Sequence, residues 1–200
     1  FVLHAPGLGA LTVELAVPGK HNVSNAAAAV AAVHLAGFDP RPALPALATF
    51  RGVGRRWQSW GERDGALIID DYAHHPTEVA AMLEVARHTG RRVRAVLQPH
   101  RWVRTARQWP ELAAAAAAAD EVLVLDIYGA GEKPIANVSS ALIVERLREQ
   151  GVEARGADIG SATAYLAGSL APNDLVITLG AGDVWRVAAA LADGRVDAEG

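Results

Sequence analysis

The sequence predicts an α/β fold: an open, mostly parallel sheet with helices on both faces, preceded by a small hairpin-plus-helix piece. Three observations carry this expectation. From residue 66 onward, apolar runs of strand length alternate with stretches of helical length and pattern. The strand runs ALIIDDY, RVRAVLQP, EVLVLDIY and DLVITLG are almost continuously apolar, so both of their faces are buried, as in a parallel sheet covered by helices. Each run then stops at polar or glycine residues, and in doubly wound sheets ligands sit beyond the carboxyl ends of the strands.

Taken in order, FVLHAPGLGALTVELAV reads as two strands joined by the Pro-Gly-Leu-Gly turn at 6–9. NAAAAVAAVHLAG (25–37) is an alanine-rich helix stopped by Gly37, and a short helix follows Pro42 to about Thr49. FRGVGRRWQSW (50–60) is basic and broken by glycine, and reads as a linker. Residues 1–49 and 50–200 are therefore expected to belong to two domains. PTEVAAMLEVARHTG is a helix with Pro76 at its first position and Glu78 in its first turn. ELAAAAAAAD (111–120) carries the next helix, its alanines expected on a solvent or loosely packed face. SSALIVERLREQG is a helix capped by Ser139 or Ser140. A weak strand near 153–157 and a short helix near 161–169 precede the last strand, glycine turn and helix.

Composition narrows the function classes. The 200 residues carry a net charge of −3, which gives no electrostatic case for nucleic acid or an anionic membrane surface. With no cysteine, disulfides and thiolate metal sites are excluded. No apolar run approaches the roughly 20 residues that span a bilayer, and no signal peptide is visible, so a cytoplasmic protein is expected. The chain starts at Phe1 and its single methionine is Met82, so a piece of a longer protein is expected.

Chemistry concentrates in six stretches. In DDYAHHP (70–76), two carboxylates at a strand end can meet Mg²⁺ or ribose hydroxyls, and neutral His74 or His75 can meet a phosphate, a metal or a carbonyl. The plain alternative is a polar helix cap favoured by the dipole. In QPHRWVRT (98–105), a helical turn over 100–104 would put His100 and Arg104 on one face, with Arg101 offset. Two arginines there form a carboxylate or phosphate clamp, or else lie solvated beside Trp102. YGAGEKP and LGAGDVW are glycine turns after strands, able to approach an anion or simply to need positive φ, and neither is a dinucleotide fingerprint. In GKHNVSNA (19–26), Asn22 and Asn25 share a face and offer the donor–acceptor pair that suits an adenine edge, or are ordinary caps beside His21. In GVGRRW (52–57), an arginine can reach a nucleotide, or the segment is a flexible basic linker.

Together GKHNVSNAAAA, FRGVGRRWQ, DDYAHHPTEV, QPHRWVRT, DIYGAGEKPI and LGAGDVW resemble the Mur ligases, ATP-dependent amide ligases of peptidoglycan synthesis, in order and spacing over most of residues 19–187. DDYAHHPTE with QPHR points to the alanine-adding branch. The resemblance implies three domains. Residues 1–49 would end the central ATPase domain and 50–200 form the Rossmann-like C-terminal one, while the P-loop and the N-terminal UDP-binding domain lie outside this sequence, leaving it inactive by itself. It implies ATP and Mg²⁺ as cofactors, and UDP-N-acetylmuramate and L-alanine as substrates, with no nucleic acid or membrane. His21, Asn22 and Asn25 match the adenine side, Arg56 the arginine that meets ATP, and Asp71 the aspartate on the ribose. Tyr72, His74 and His75 match residues facing the muramoyl substrate and the metal region. His75 is the metal candidate, and His74, His75 and His100 the catalytic ones. His100, Arg101 and Arg104 match the alanine pocket. Ala73 stands where the family has glycine, and Trp102-Val103 where it has Tyr-Ser, so a hydroxyl is lost. A peptide-recycling branch of the same family and a nucleotide- or anion-binding α/β module without chemistry are the alternatives.

Overall fold

The structure, a computed structural model, describes residues 1–194. The chain divides into two compact units, Phe1–Val53 and Gly54–Gly200.

In the first unit, β1 (Val2–Ala5) and β2 (Gly9–Thr12) form an antiparallel hairpin. Helix α1 spans Lys20–Leu35, and a 3₁₀ turn at Arg41–Ala43 leads into α2 (Leu44–Thr49). A small core of Leu8, Leu11 and Val30 holds these elements together. Helix α1 starts five residues before the predicted Asn25. Its N-cap is Gly19 at φ 101°, a conformation open to glycine, and nothing between Lys20 and Ala26 opposes a helix.

The second unit holds a six-stranded sheet in the order β3-β4-β8-β5-β6-β7. Its strands are β3 (Gln58–Arg63), β4 (Ala66–Asp71), β5 (Arg92–Leu97), β6 (Glu121–Leu125), β7 (Glu153–Ala157) and β8 (Asp174–Leu179). All neighbours are parallel except β3, which pairs antiparallel with β4 at the edge. The expected linker thus ends earlier than its composition suggested: WQSW already enters a strand, whose alternating burial suits a half-exposed edge.

Five helices cover the two faces: α3 (Pro76–Arg87), α4 (Trp102–Ala116), α5 (Ala141–Glu149), α6 (Ile159–Ala167) and α7 (Trp185–Asp193). Alternate strand residues assign the faces. Ile69, Val93, Val122 and Ile177 pack with α3, α4 and α5. Ile68, Val96, Leu123 and Val176 pack with α6 and α7. This is a doubly wound α/β sheet, so the ends of β4, β5, β6, β7 and β8 share one edge.

Two helical expectations need correction. Helix α4 begins nine residues before Glu111 and carries Pro110 inside it. Its alanines are divided between core and surface: Ala113 and Ala116 are fully buried, where small side chains let α4 lie close between α3 and α5, while Ala114 is exposed. Ser140 is the N-cap position of α5, but its side chain bonds no helix N–H and instead approaches Asp126 at 3.5 Å. No helix among the described residues is long and apolar enough to cross a membrane.

Candidate active site at the carboxyl edge of the sheet

The end of β4 supplies the first pair of acids. Successive residues of a strand point oppositely, and Asp70 and Asp71 accordingly do different jobs. Asp70 accepts from Thr178 Oγ1 at 2.6 Å and from Arg55 Nε at 2.9 Å. Asp71, only 1% exposed, accepts from the N–H groups of Trp57 and Ala73, both at 2.8 Å. Burial pushes the Asp71 carboxyl above the usual carboxylate range, against those two bonds and the Arg56 guanidinium 3.9 Å away. Arg56 itself is half-exposed and lies over the Tyr72 ring, 5.5 Å from its centroid.

The two histidines after β4 part company. His75 caps α3: its Nδ1 accepts from Thr77 N–H at 3.3 Å. Glu78 Oε2 answers by accepting from the N–H groups of His74 and His75 at 3.1 and 3.2 Å. Burial of Glu78 opposes its charge, yet these bonds and the neighbouring cations hold its carboxyl below the ordinary value. The other ring nitrogen of His75 lies 3.3 Å from the Gln108 amide. Both nitrogens are thus engaged within the domain, and no group of three or more potential metal ligands forms among the described residues. In this structure His75 serves as the cap of α3.

His74 turns into the site. Its ring meets Tyr72 edge-on at 5.4 Å and His100 at 5.6 Å, and His100 stacks on Tyr128 at 5.6 Å with planes 8° apart. A row of four rings thus crosses the ends of β4, β5 and β6. The expected helical turn over 100–104 is absent. His100 is extended, bridging to Tyr128, and Arg101 takes a left-handed φ of 70° as the N-cap of α4. A bond from Arg101 N–H to Tyr128 O at 2.8 Å holds that turn. Arg104 still lies near enough to act on the charge of His100. Burial, then His74, Arg104 and Arg101, push the His100 pKa below its ordinary value of 6.5, with Glu132 opposing. The Nδ1 of His100 and the Nη1 of Arg104 are buried without a partner. A neutral imidazole and a permanent cation with idle buried polar atoms are suited to receive an anionic group.

The glycine turns are explained by close approach. A Cβ on Gly182 would run into Gln98 Oε1 and into Tyr128. One on Gly129 would stand 2.9 Å from Trp102 Nε1. Gln98, at the end of β5, locks the last turn by donating to Asp183 at 2.7 Å and accepting from Val184 N–H at 3.1 Å. Beside it opens a cavity of about 540 Å³ bordered by Asp126, Tyr128, Asp158 and Arg186.

Three contributors carried no assigned role in the sequence reading. Glu132 accepts from Val103 N–H at 3.1 Å in the first turn of α4 and lies 3.9 Å from Arg101. Tyr128 supplies the end of the ring row. Arg55, next to the assigned Arg56, binds Asp70 and the last glycine turn. Only the doubling of the arginine hinted at the last of these.

In the first unit, His21, Asn22 and Asn25 fall in the opening turns of α1. Asn22 Nδ2 donates to Pro18 O at 2.6 Å and Asn25 Nδ2 to Asn22 Oδ1 at 3.4 Å, so the two amides share a face and neither is the cap.

The family model for "Mur ligase, glutamate ligase domain" matches residues 55–182, the greater part of the chain. The chain belongs to the Mur ligase family. A UDP-N-acetylmuramate–L-alanine ligase of Deinococcus radiodurans is 49% identical over 182 residues, covering 90% of this chain and 38% of that protein. The crystal structure of UDP-N-acetylmuramate-alanine ligase MurC from Thermotoga maritima superposes with a TM-score of 0.79 at 30% identity, over 96% of this chain and 41% of that one. A murein peptide ligase from Psychrobacter arcticus shares the fold, with a TM-score of 0.70 at 21% identity over 97% of this chain and 41% of that one. This Mur ligase chain spans about two fifths of the length of the curated relatives it matches.

Proposed function

We propose that the chain is the back part of a cytoplasmic ATP-dependent ligase that joins L-alanine to UDP-N-acetylmuramate in peptidoglycan synthesis. The lactyl carboxylate takes the γ-phosphoryl group of ATP, giving an acyl phosphate and ADP. The alanine amine then attacks the acyl carbon, and a tetrahedral intermediate loses phosphate to leave the amide. Positioning and electrostatics carry such a reaction.

The observation that carries this reading is the pair of buried, partnerless atoms, Nδ1 of His100 and Nη1 of Arg104, at the start of α4. Arg104, with the exposed Arg101 beside it, holds the alanine carboxylate, since guanidinium is forked and permanently charged. His100 is kept neutral by burial and by the cations around it, so it can accept from the alanine nitrogen. His74 and Tyr72 line the same row and face the muramoyl acid. Arg56 reaches the nucleotide, set in place by the buried Asp71, whose remaining lone pairs suit a ribose hydroxyl. His75 supports the row as the cap of α3. His21, Asn22 and Asn25 supply the adenine side. ATP brings Mg²⁺ with it when bound; the described residues offer no metal cage of their own.

The test uses the full-length protein. ADP release is measured with UDP-N-acetylmuramate and, separately, alanine, glycine, serine and a preformed peptide. Dependence on alanine is expected. Preference for the peptide would move the chain to the recycling branch, and no dependence on any acceptor would leave only a binding module.

A further inference from the structure

Arg55 adopts φ 58°, a backbone region costly for a side chain of its size. Its own bonds hold it there. Nε donates to Asp70 Oδ2 at 2.9 Å, Nη1 to Gly182 O at 3.0 Å and Nη2 to Gly180 O at 2.7 Å. Its main-chain N–H donates to Gln58 Oε1 at 2.8 Å, and its carbonyl accepts from Tyr72 N–H at 2.7 Å. The guanidinium lies 5.2 Å from the Tyr72 ring centroid.

These contacts close a circuit. From Arg55 it runs through Tyr72, His74, His100 and Tyr128 by successive ring contacts. It returns through Gly182, against which Tyr128 packs and whose carbonyl accepts from Arg55. The nucleotide-side pair Arg56 and Asp71 joins this circuit at Tyr72, and the acceptor side is represented in it by His100, whose charge Arg104 opposes.

We propose that Arg55 is a positioning residue that clamps the glycine turn after β8 to the end of β4, fixing the spacing between the nucleotide-side and acceptor-side groups. Its chemistry suits the task. One planar cation reaches a carboxylate and two carbonyls at once, whereas a lysine ammonium on the same backbone holds fewer of them in defined directions. Spacing matters because a misplacement of about 1 Å costs roughly 100-fold in rate. The kinetic consequence rests on the ligase reading; the clamp itself does not.

The experiment compares full-length wild type with Arg55→Met, Arg55→Lys and, as a control far from the site, Ser169→Ala. Amide hydrogen exchange is followed over residues 70–75 and 180–184, together with the KM for ATP, the KM for alanine and kcat. Arg55→Met is expected to lose protection at Tyr72 and over 180–184 while residues 92–96 keep theirs. Its kcat/KM is expected to fall about 100-fold for both substrates, with Arg55→Lys between it and wild type. Ser169→Ala is expected to lower the melting temperature and leave both KM values alone. Unchanged protection over 180–184 in either Arg55 variant, or a change confined to one substrate, would overturn the clamp. Should Arg55→Met fail to fold, the Arg55→Lys profile decides by the same criteria. Wild type without acceptor-dependent ADP release would end the ligase reading, and hydrogen exchange would still judge Arg55.

Discussion

The two edges of the same sheet treat charge in opposite ways. At the amino edge, Arg94 is 1% exposed and fully committed. It donates to Glu121 at 2.7 Å, to Asp174 at 3.1 Å, and to the carbonyl and hydroxyl of Ser169, both at 2.9 Å. Glu121 also accepts from the Tyr165 hydroxyl at 2.7 Å, and Asp174 from Ala171 N–H at 3.1 Å. At the carboxyl edge, Arg104 and His100 keep buried atoms idle. Arg55, Trp57, Arg101 and Ala130 there hold positive φ. The bonds of Arg94 fix strands in register and leave that guanidinium nothing for a ligand, although Arg155 beside it, which also reaches Glu121, keeps its Nε buried without a partner. An unsaturated network stores a cost that a ligand can relieve. The contrast teaches where to look for function: at polar groups the fold has brought together without pairing.

The contrast can be broken hardest at the saturated edge. Arg94→Ala takes the nearest cation from two buried carboxylates, leaving Glu121 only Arg92 and Arg155 at 3.6 Å and Asp174 only Arg92 at 4.0 Å, and should destabilise by about 3–5 kcal/mol, read by urea denaturation. If the edges are independent, the KM values of whatever remains folded should not change. Arg104→Ala strikes the unsaturated edge. Stability should barely fall, because no protein partner is lost, while the alanine KM should rise by an amount worth about 2–4 kcal/mol, far more than the ATP KM. Equal effects on both substrates would remove Arg104 from the acceptor side. Gly182→Ala pushes a methyl into Gln98 and Tyr128, and overpacking of this kind costs about 1–3 kcal/mol in a melting experiment. The smallest effect concerns pH. His100 resists protonation in the fold, so the unfolded chain takes up a proton first as pH drops through 6.5. Stability should therefore decline with falling pH just below that value, and His100→Phe, which keeps the ring stack, should flatten the decline.

Much of this was legible in the sequence. Near-continuous apolar strands announced a parallel sheet, and the polar residues after each announced the edge at which they would gather. DDYAHHP, QPHR and the two glycine turns were all placed at that edge, and they do lie there. Local pattern was less informative where a tertiary partner overrides it. The edge strand β3 hid in a segment that composition marked as linker, because an exposed strand needs little apolar sequence. The alanine run of α4 carried no sign of which neighbour it would touch.

By itself, then, the amino-acid order determined the layering of the domain and the set of groups available at one rim, since period and polarity are properties of neighbouring residues. Which of two adjacent arginines faces inward, which of two adjacent histidines becomes a cap, and which glycines have no room for a methyl were decided only on folding. Those outcomes depend on residues far away in the chain: Arg55 meets Gly182, and His75 meets Gln108. No local pattern encodes such meetings; the packed sheet does.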